Sequence, residues 1–330
     1  MVVDAPTLDE FRAAALAVRD AIRRTPTFAW HGGALAERRS SALWLKLELL
    51  QVTGSFKARA ALLAARNLAP AERARGLTGV SAGNHAIAVA WAARAVGTTA
   101  KLVMPRTADP WRVARCREQG GEVVLVDDVH QAFATAQAIA ADEGRTMLHP
   151  FEGKTVATGT GTVALEILDD VPELEAIVVP IGGGGLCAGI AAAVKQLRPE
   201  VAVYGVEPTG ADSMHRSFAA GAPQGIDAVR TIADSLGAPH AAPYSYGLCR
   251  AYVDELVHVD DAGMRDAMRL LYAELKLAAE PAGAAATAAV LGPLASRLDR
   301  RRVVALVCGS NIGPQRLADL LRREDEATPQ

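Results

Sequence analysis

Cysteine is scarce and scattered in this chain. The four thiols, Cys116, Cys187, Cys249 and Cys308, form no CxxC pair and no cluster with histidine, which argues against a disulfide framework and a structural zinc site. A basic block is also missing. The 35 basic and 37 acidic residues interleave to a net charge of −2, so nucleic acid is not an expected partner. Apolar runs such as Ala188 to Val194 are too short to span a bilayer, and Asp4, Asp9 and Glu10 precede any apolar stretch, unlike a secretory signal. No glycine loop is followed by Gly-Lys-Ser/Thr, no GxGxxG leads to a ribose-binding acid, and no repeat of solenoid period is visible. These absences leave a soluble, cytoplasmic globular protein with reduced thiols as the expectation, with no membrane partner.

What is present is a long chain with a large apolar complement: 330 residues, half of them apolar, enough for two domains. Thr7 to Ile22 has helical apolar spacing, with Thr7 and Glu10 placed as a capping box. Leu43 to Leu47 alternates like a strand, and a helix follows from Lys57. Strands are then predicted at Leu77 to Val80, Ala100 to Met104 and Glu122 to Val126. Helices at His85 to Val96, Ala108 to Gln119 and Val129 to Glu143 separate and follow them. A second set comprises a helix at Thr158 to Leu168, a strand at Ala176 to Pro180, a helix at Leu186 to Leu197 and a strand at Val201 to Glu207. Thr209 to Tyr246 reads as irregular. Leu256 to Val259, a helix from Asp261 to Leu275, the Ala-rich Ala282 to Leu291 and a last strand, Val303 to Val307, complete the set. Such alternation implies two α/β sheets, mostly parallel and covered on both faces.

Three stretches carry chemistry. Gly54-Ser55-Phe56-Lys57 puts a lysine at a helix start, where it is either a surface side chain or an amine nucleophile. An unperturbed lysine, with a pKa of roughly 10.4, is a poor nucleophile, so the second role needs desolvation or a cofactor aldehyde. Ile181 to Leu186, IGGGGL, joins a strand to a helix, so its amides can converge on a phosphate, although a tight turn alone would also explain it. Ser81 to His85, SAGNH, also joins strand to helix. It offers a hydroxyl, an amide, an imidazole and free backbone N–H groups to a carboxylate, or simply makes a hydrogen-bonded turn.

In this order the three stretches resemble the fold type II pyridoxal-phosphate enzymes, in particular the serine/threonine dehydratase and serine racemase group. The resemblance runs from about Thr25 to Leu321 and extends to TVALEIL (Thr162 to Leu168), VEPTGADS (Val206 to Ser213), AEPAG (Ala279 to Gly283) and VCGSNI (Val307 to Ile312). It implies a two-domain α/β fold of the tryptophan synthase β kind, each domain an open, mostly parallel sheet flanked by helices. Residues 1–72 with 150–330 would form the cofactor domain and 73–149 a smaller domain that closes on substrate. It further implies pyridoxal 5′-phosphate as cofactor, with Lys57 as Schiff-base lysine and catalytic base and Phe56 against the pyridine ring. Asn84 would bond the ring hydroxyl, and Gly182, Gly183, Gly184, Gly185 and Leu186 would hold the phosphate. Ser81, Asn84 and His85, with the amides around Ala82 and Gly83, would grip the α-carboxylate. Cys308 would face the ring nitrogen. Glu207, Ala211 and Ser213 match a cation site, where the single carboxylate favours potassium over magnesium. A homodimer is a further expectation from the resemblance.

The reaction implied is β-elimination of water from L-serine, L-threonine or a related β-hydroxy amino acid, giving a 2-oxo acid and ammonia. Ala82 stands where serine racemases carry the serine that serves the opposite face, so efficient racemisation is not expected. A thiol at Cys308 is a weak partner that leaves the ring nitrogen neutral, which favours prompt loss of the hydroxyl. No further module follows Leu321, which points to a catabolic or specialised dehydratase. The alternatives are β-replacement or racemisation on a similar amino acid, or a catalytically silent cofactor-binding protein. The side chains around the β-substituent are expected from His149, Pro150, Phe151 and the stretch Ser235 to Leu248.

Overall fold

Ten strands form two sheets in the computed structural model, which describes residues 3–127 and 129–322. In chain order they are β1 (Thr27–Trp30), β2 (Leu43–Lys46), β3 (Leu77–Val80), β4 (Ala100–Pro105) and β5 (Gly121–Val126). Then come β6 (Thr146–Met147), β7 (Ala176–Pro180), β8 (Ala202–Pro208), β9 (Glu255–Val259) and β10 (Val303–Leu306). The large sheet has the order β1-β2-β10-β7-β8-β9 and the small one β5-β4-β3-β6. Every pairing is parallel except β1 with β2, where Thr27 faces Lys46 and Trp30 faces Leu43. Strands β3, β7 and β10 are buried along their whole length, and β7 and β10 accordingly read as continuous apolar runs.

The capping box of Thr7 and Glu10 is formed, with Thr7 N donating to Glu10 Oε2 at 2.7 Å. The stretch expected to be irregular is partly helical, carrying Ser213–Ala220 and the start of Pro243–Tyr252. Both are short and polar on one face, so no long apolar period announced them. Residues 323–330 lie outside the described residues. All four cysteines are free and buried. Among the described residues no helix is long and apolar enough to cross a membrane.

A buried ion cluster fixes the helix that begins at Lys57. Arg59, fully buried, donates to both oxygens of Glu48 (2.8 and 2.7 Å) and to both oxygens of Glu166 (2.7 and 3.0 Å). Lys46 completes the cluster, donating to Glu166 Oε2 at 2.7 Å and to the Thr25 carbonyl at 2.7 Å. Two charges taken out of water are costly unless each is paired and its lone pairs are filled. Here they are filled, and helix Lys57–Arg66 is thereby fixed to helix Lys154–Asp170 beneath the large sheet.

Candidate active site

Lys57 is the first residue of its helix, and the approach to it is pinned to the end of β10. Ser55 bridges Gly309, and Phe56 N donates to the Cys308 carbonyl at 3.2 Å. The amine lies 5.0 Å from the Phe56 ring centroid and donates to the Pro150 carbonyl. Desolvation pushes its pKa down to about 8, against the opposing pull of Cys308 and Glu280. The positive end of its own helix also disfavours an ammonium there.

The tetraglycine loop runs from the end of β7 to helix Gly185–Leu197. Among the described residues none of the amides of Gly182, Gly183, Gly184, Gly185 and Leu186 has a hydrogen-bond acceptor, and this helix end carries no side-chain cap. Five open donors at the positive end of a helix form an anion site. A Cβ on Gly183 would sit 2.1 Å from Phe151 Cγ and one on Gly185 2.3 Å from the Phe151 carbonyl oxygen. Gly184 has φ +93°. The glycines therefore let the main chain lie against Phe151, which a tight turn alone would not require.

Across the cleft, the SAGNH turn joins β3 to helix Asn84–Ala95. Ser81 Oγ accepts from Gly83 N at 3.0 Å. Asn84 is fixed from both ends: its Nδ2 donates to Glu280 Oε1 at 2.5 Å and to Ser235 Oγ at 3.3 Å, and its Oδ1 accepts from Asn311 Nδ2 at 2.6 Å. The expected role of the His85 side chain needs correcting. Its Nε2–H donates to the Leu148 carbonyl at 2.9 Å, and burial drives its pKa down to about 3, so the ring is neutral and has no donor left for a carboxylate. Asn84, whose two amide hydrogens are committed to Glu280 and Ser235, has none left either, so Ser81 and the turn amides are the open donors on this side of the cleft. Cys308 is buried with its thiol pKa pushed up by desolvation, and Sγ donates to the Ala282 carbonyl at 3.4 Å.

One cleft of about 200 Å³ is lined by Phe56, Lys57, Ser81, Ala82, Gly83, Asn84, His85, the loop Gly182 to Leu186 and Cys308 together. Lys57 also opens on a larger cavity, of about 350 Å³, lined chiefly by Ala60, Ala61, Ala64 and residues 146–150 and 152–156. The predicted cation residues stand apart, outside the lining of either cavity. Glu207 accepts from Met214 N and His215 N, each at 2.8 Å, and meets His215 Nδ1 at 2.6 Å, so its carboxylate caps helix Ser213–Ala220. Ala211 is buried, and Ser213 Oγ is buried with no hydrogen-bond partner among the described residues.

Sequence reasoning missed Arg112, Asp234 and Glu280. Arg112, on helix Pro110–Glu118 of the small sheet, reaches Glu280 Oε2 at 2.9 Å, Asp234 Oδ2 at 2.8 Å and the Asn311 carbonyl at 2.6 Å. Glu280 is wholly buried, and desolvation raises its pKa despite Arg112. Its signal was an acid immediately before Pro281 at the head of an all-apolar helix. Because that acid does not cap its own helix, its carboxylate is free to hold Asn84 and Arg112.

The open amides, the desolvated lysine and the fixed Asn84 fit a phosphorylated aldehyde cofactor. The family model described as pyridoxal-phosphate dependent enzyme matches residues 18–309. Phenylserine dehydratase of Ralstonia pickettii is 52% identical over 271 residues, covering 82% of this chain and 83% of that one. L-threonine ammonia-lyase of Thermotoga maritima is 36% identical over 93% of this chain and 76% of its own length. Among solved structures, maize serine racemase superposes with a TM-score of 0.90 at 33% identity, covering 96% of both chains.

Proposed function

Since the chain belongs to the pyridoxal-phosphate-dependent enzyme family, we propose that it eliminates water from an L-β-hydroxy amino acid, such as L-serine, L-threonine or a relative with another β-substituent, to give a 2-oxo acid and ammonia. The observation that carries this reading is Lys57, a lysine amine with its pKa lowered to about 8, in one cleft with an open-amide glycine loop and the SAGNH turn. Relatives named as dehydratases or ammonia-lyases support the reaction type.

When bound, pyridoxal phosphate supplies an aldehyde for the amine and an electron sink that acidifies the substrate's α-hydrogen. Lys57 Nζ is the base that takes that hydrogen. The amides of Gly182 to Leu186 would hold the phosphate group, and Phe56 would pack against the ring. Asn84, held by Glu280, Ser235 and Asn311, keeps its Oδ1 oxygen fixed where it could accept from the ring hydroxyl. Ser81 and the turn amides hold the α-carboxylate, which keeps the α-hydrogen near Lys57. Cys308, a neutral thiol that donates to the Ala282 carbonyl, would give a ring nitrogen beside it no strong proton donor. The enamine released hydrolyses in water to the 2-oxo acid and ammonia.

Ala82 lines the cleft with a methyl group, which disfavours the racemase alternative. Residues 73–149 are assigned as the unit that closes over substrate, Glu207, Ala211 and Ser213 as a potassium site, the assembly as a homodimer and the compartment as the cytoplasm. The orphaned Ser213 hydroxyl supports the cation assignment, and unchanged activity in chelator-treated, potassium-free buffer would remove it. The reaction is tested by scoring 2-oxo acid release from L-β-hydroxy amino acids by wild type and Lys57→Ala. Release by the wild type alone supports it. Net β-replacement with an added thiol and no 2-oxo acid would replace it.

A further inference from the structure

The cleft has a second wall that the elimination chemistry does not use. Two rings of that wall are backed by histidines outside it: Phe133 packs with His149 at a centroid distance of 6.4 Å, and Phe151 meets His149 edge-on at 4.7 Å and His240 at 5.9 Å. Phe133 and Phe151 line the cleft itself, with Pro105, Pro150 and Pro239 beside them. His149 behaves as an apolar ring here. Burial lowers its pKa to about 4, and its Nδ1 accepts from Glu152 N at 3.0 Å. Phe151 is already engaged, its ring packed where a Gly183 side chain would be. Phe133 differs. It stands on helix Val129–Glu143 of the small sheet, only partly buried, one side packed with Val80, Val103 and Val126.

Charge points the same way. The lining supplies two cations among the described residues, Lys57 and Arg112. Arg112 is already paired with two carboxylates, Glu280 and Asp234, and also donates to the Asn311 carbonyl. A carboxylate on the β-carbon would have to share Arg112 with Glu280 and Asp234, whose charges would oppose it. A methyl or hydrogen there would leave the Phe133 face unfilled.

Resting on the elimination reading above, we propose that the β-substituent is an aryl group and that Phe133 is the residue that selects it. An aromatic ring fills an apolar, ring-lined wall by edge or offset contact, which neither a methyl nor a carboxylate can do.

The test measures kcat/KM of the holoenzyme for L-threo-phenylserine, L-threonine, L-serine and L-threo-3-hydroxyaspartate. Wild type should favour phenylserine over threonine by about tenfold or more, the scale on which an apolar pocket discriminates, with hydroxyaspartate the poorest of the four. Phe133→Ala should lower the phenylserine-to-threonine ratio by about tenfold, and cofactor absorbance and melting temperature report that the variant is folded. Should the alanine variant lose its cofactor spectrum, Phe133→Leu carries the same comparison. A wild-type preference for threonine or serine, a ratio unmoved by the substitution, or a parallel fall for both substrates overturns the aryl pocket alone. Release of 2-oxo acid from none of the four overturns the elimination reading beneath it.

Discussion

A lysine serves as nucleophile and base only in its uncharged form, and Lys57 reaches that form because it is surrounded by protein at the positive end of its own helix. With a pKa of about 8, roughly a quarter of the amine is free at pH 7.5, against roughly one part in a thousand for an ordinary lysine. The rate at which apoprotein captures pyridoxal phosphate should therefore rise with pH and level off with a midpoint near 8. Stopped-flow absorbance checks this, and a midpoint above 10 would contradict it. Ala82 makes a second prediction at this scale: L-serine should give pyruvate with D-serine forming at least about a hundredfold more slowly, since a lost acid/base group typically costs 10²–10⁴ in rate. Chiral chromatography checks it, and D-serine accumulating as fast as pyruvate would refute the reading of Ala82.

At the scale of elements, the helix carrying Lys57 depends on Arg59, two residues further along and inside the large-sheet layer. Arg59→Met would leave Glu48 and Glu166 without their shared cation. Breaking such a buried pair costs about 3–5 kcal/mol, which a denaturant midpoint would register together with weakened cofactor retention. A loss below about 1 kcal/mol would mean that the cluster does not hold the helix. This is also where the sequence was least legible. The strands β3 and β7 and the helices 129–143 and 261–275 fell within their predicted limits, because continuous apolar runs and 3.6-residue periods are local signals. Arg59 meets Glu166 from 107 positions away and Arg112 meets Glu280 from 168, so no local pattern could pair them. Strand β1 was missed for a related reason. Four residues that begin right after Pro26 become a strand only when β2 is laid beside them.

For the whole molecule, the cleft exists because two sheets meet, and their meeting is held by buried groups whose charge states matter. The large sheet contributes Lys57, the glycine loop, Glu280 and Cys308, and the small sheet contributes the SAGNH turn and Arg112. Motif order in the chain revealed most of this site, since each motif sits at a strand-to-helix junction; the Arg112 link across the cleft was not visible because helix Pro110–Glu118 bears no mark of what its arginine faces. His85, buried, and His149, partly buried, are held neutral, with pKa values lowered by desolvation to about 3 and about 4. The unfolded chain takes up those protons near its usual pKa of about 6.5 and the folded one does not, so stability is present above that pH and is lost as pH falls below it. Melting temperature should decline steadily from about pH 6.5 downward, and His85→Asn should flatten part of that decline. A flat profile down to pH 4 would show that these rings are not held neutral.

The most direct test is of the bond proposed between Lys57 and pyridoxal phosphate. Borohydride reduction of the protein loaded with pyridoxal phosphate, followed by peptide mapping, should give one phosphopyridoxyl adduct, on Lys57. An unmodified Lys57, or a label spread over other lysines, would contradict it.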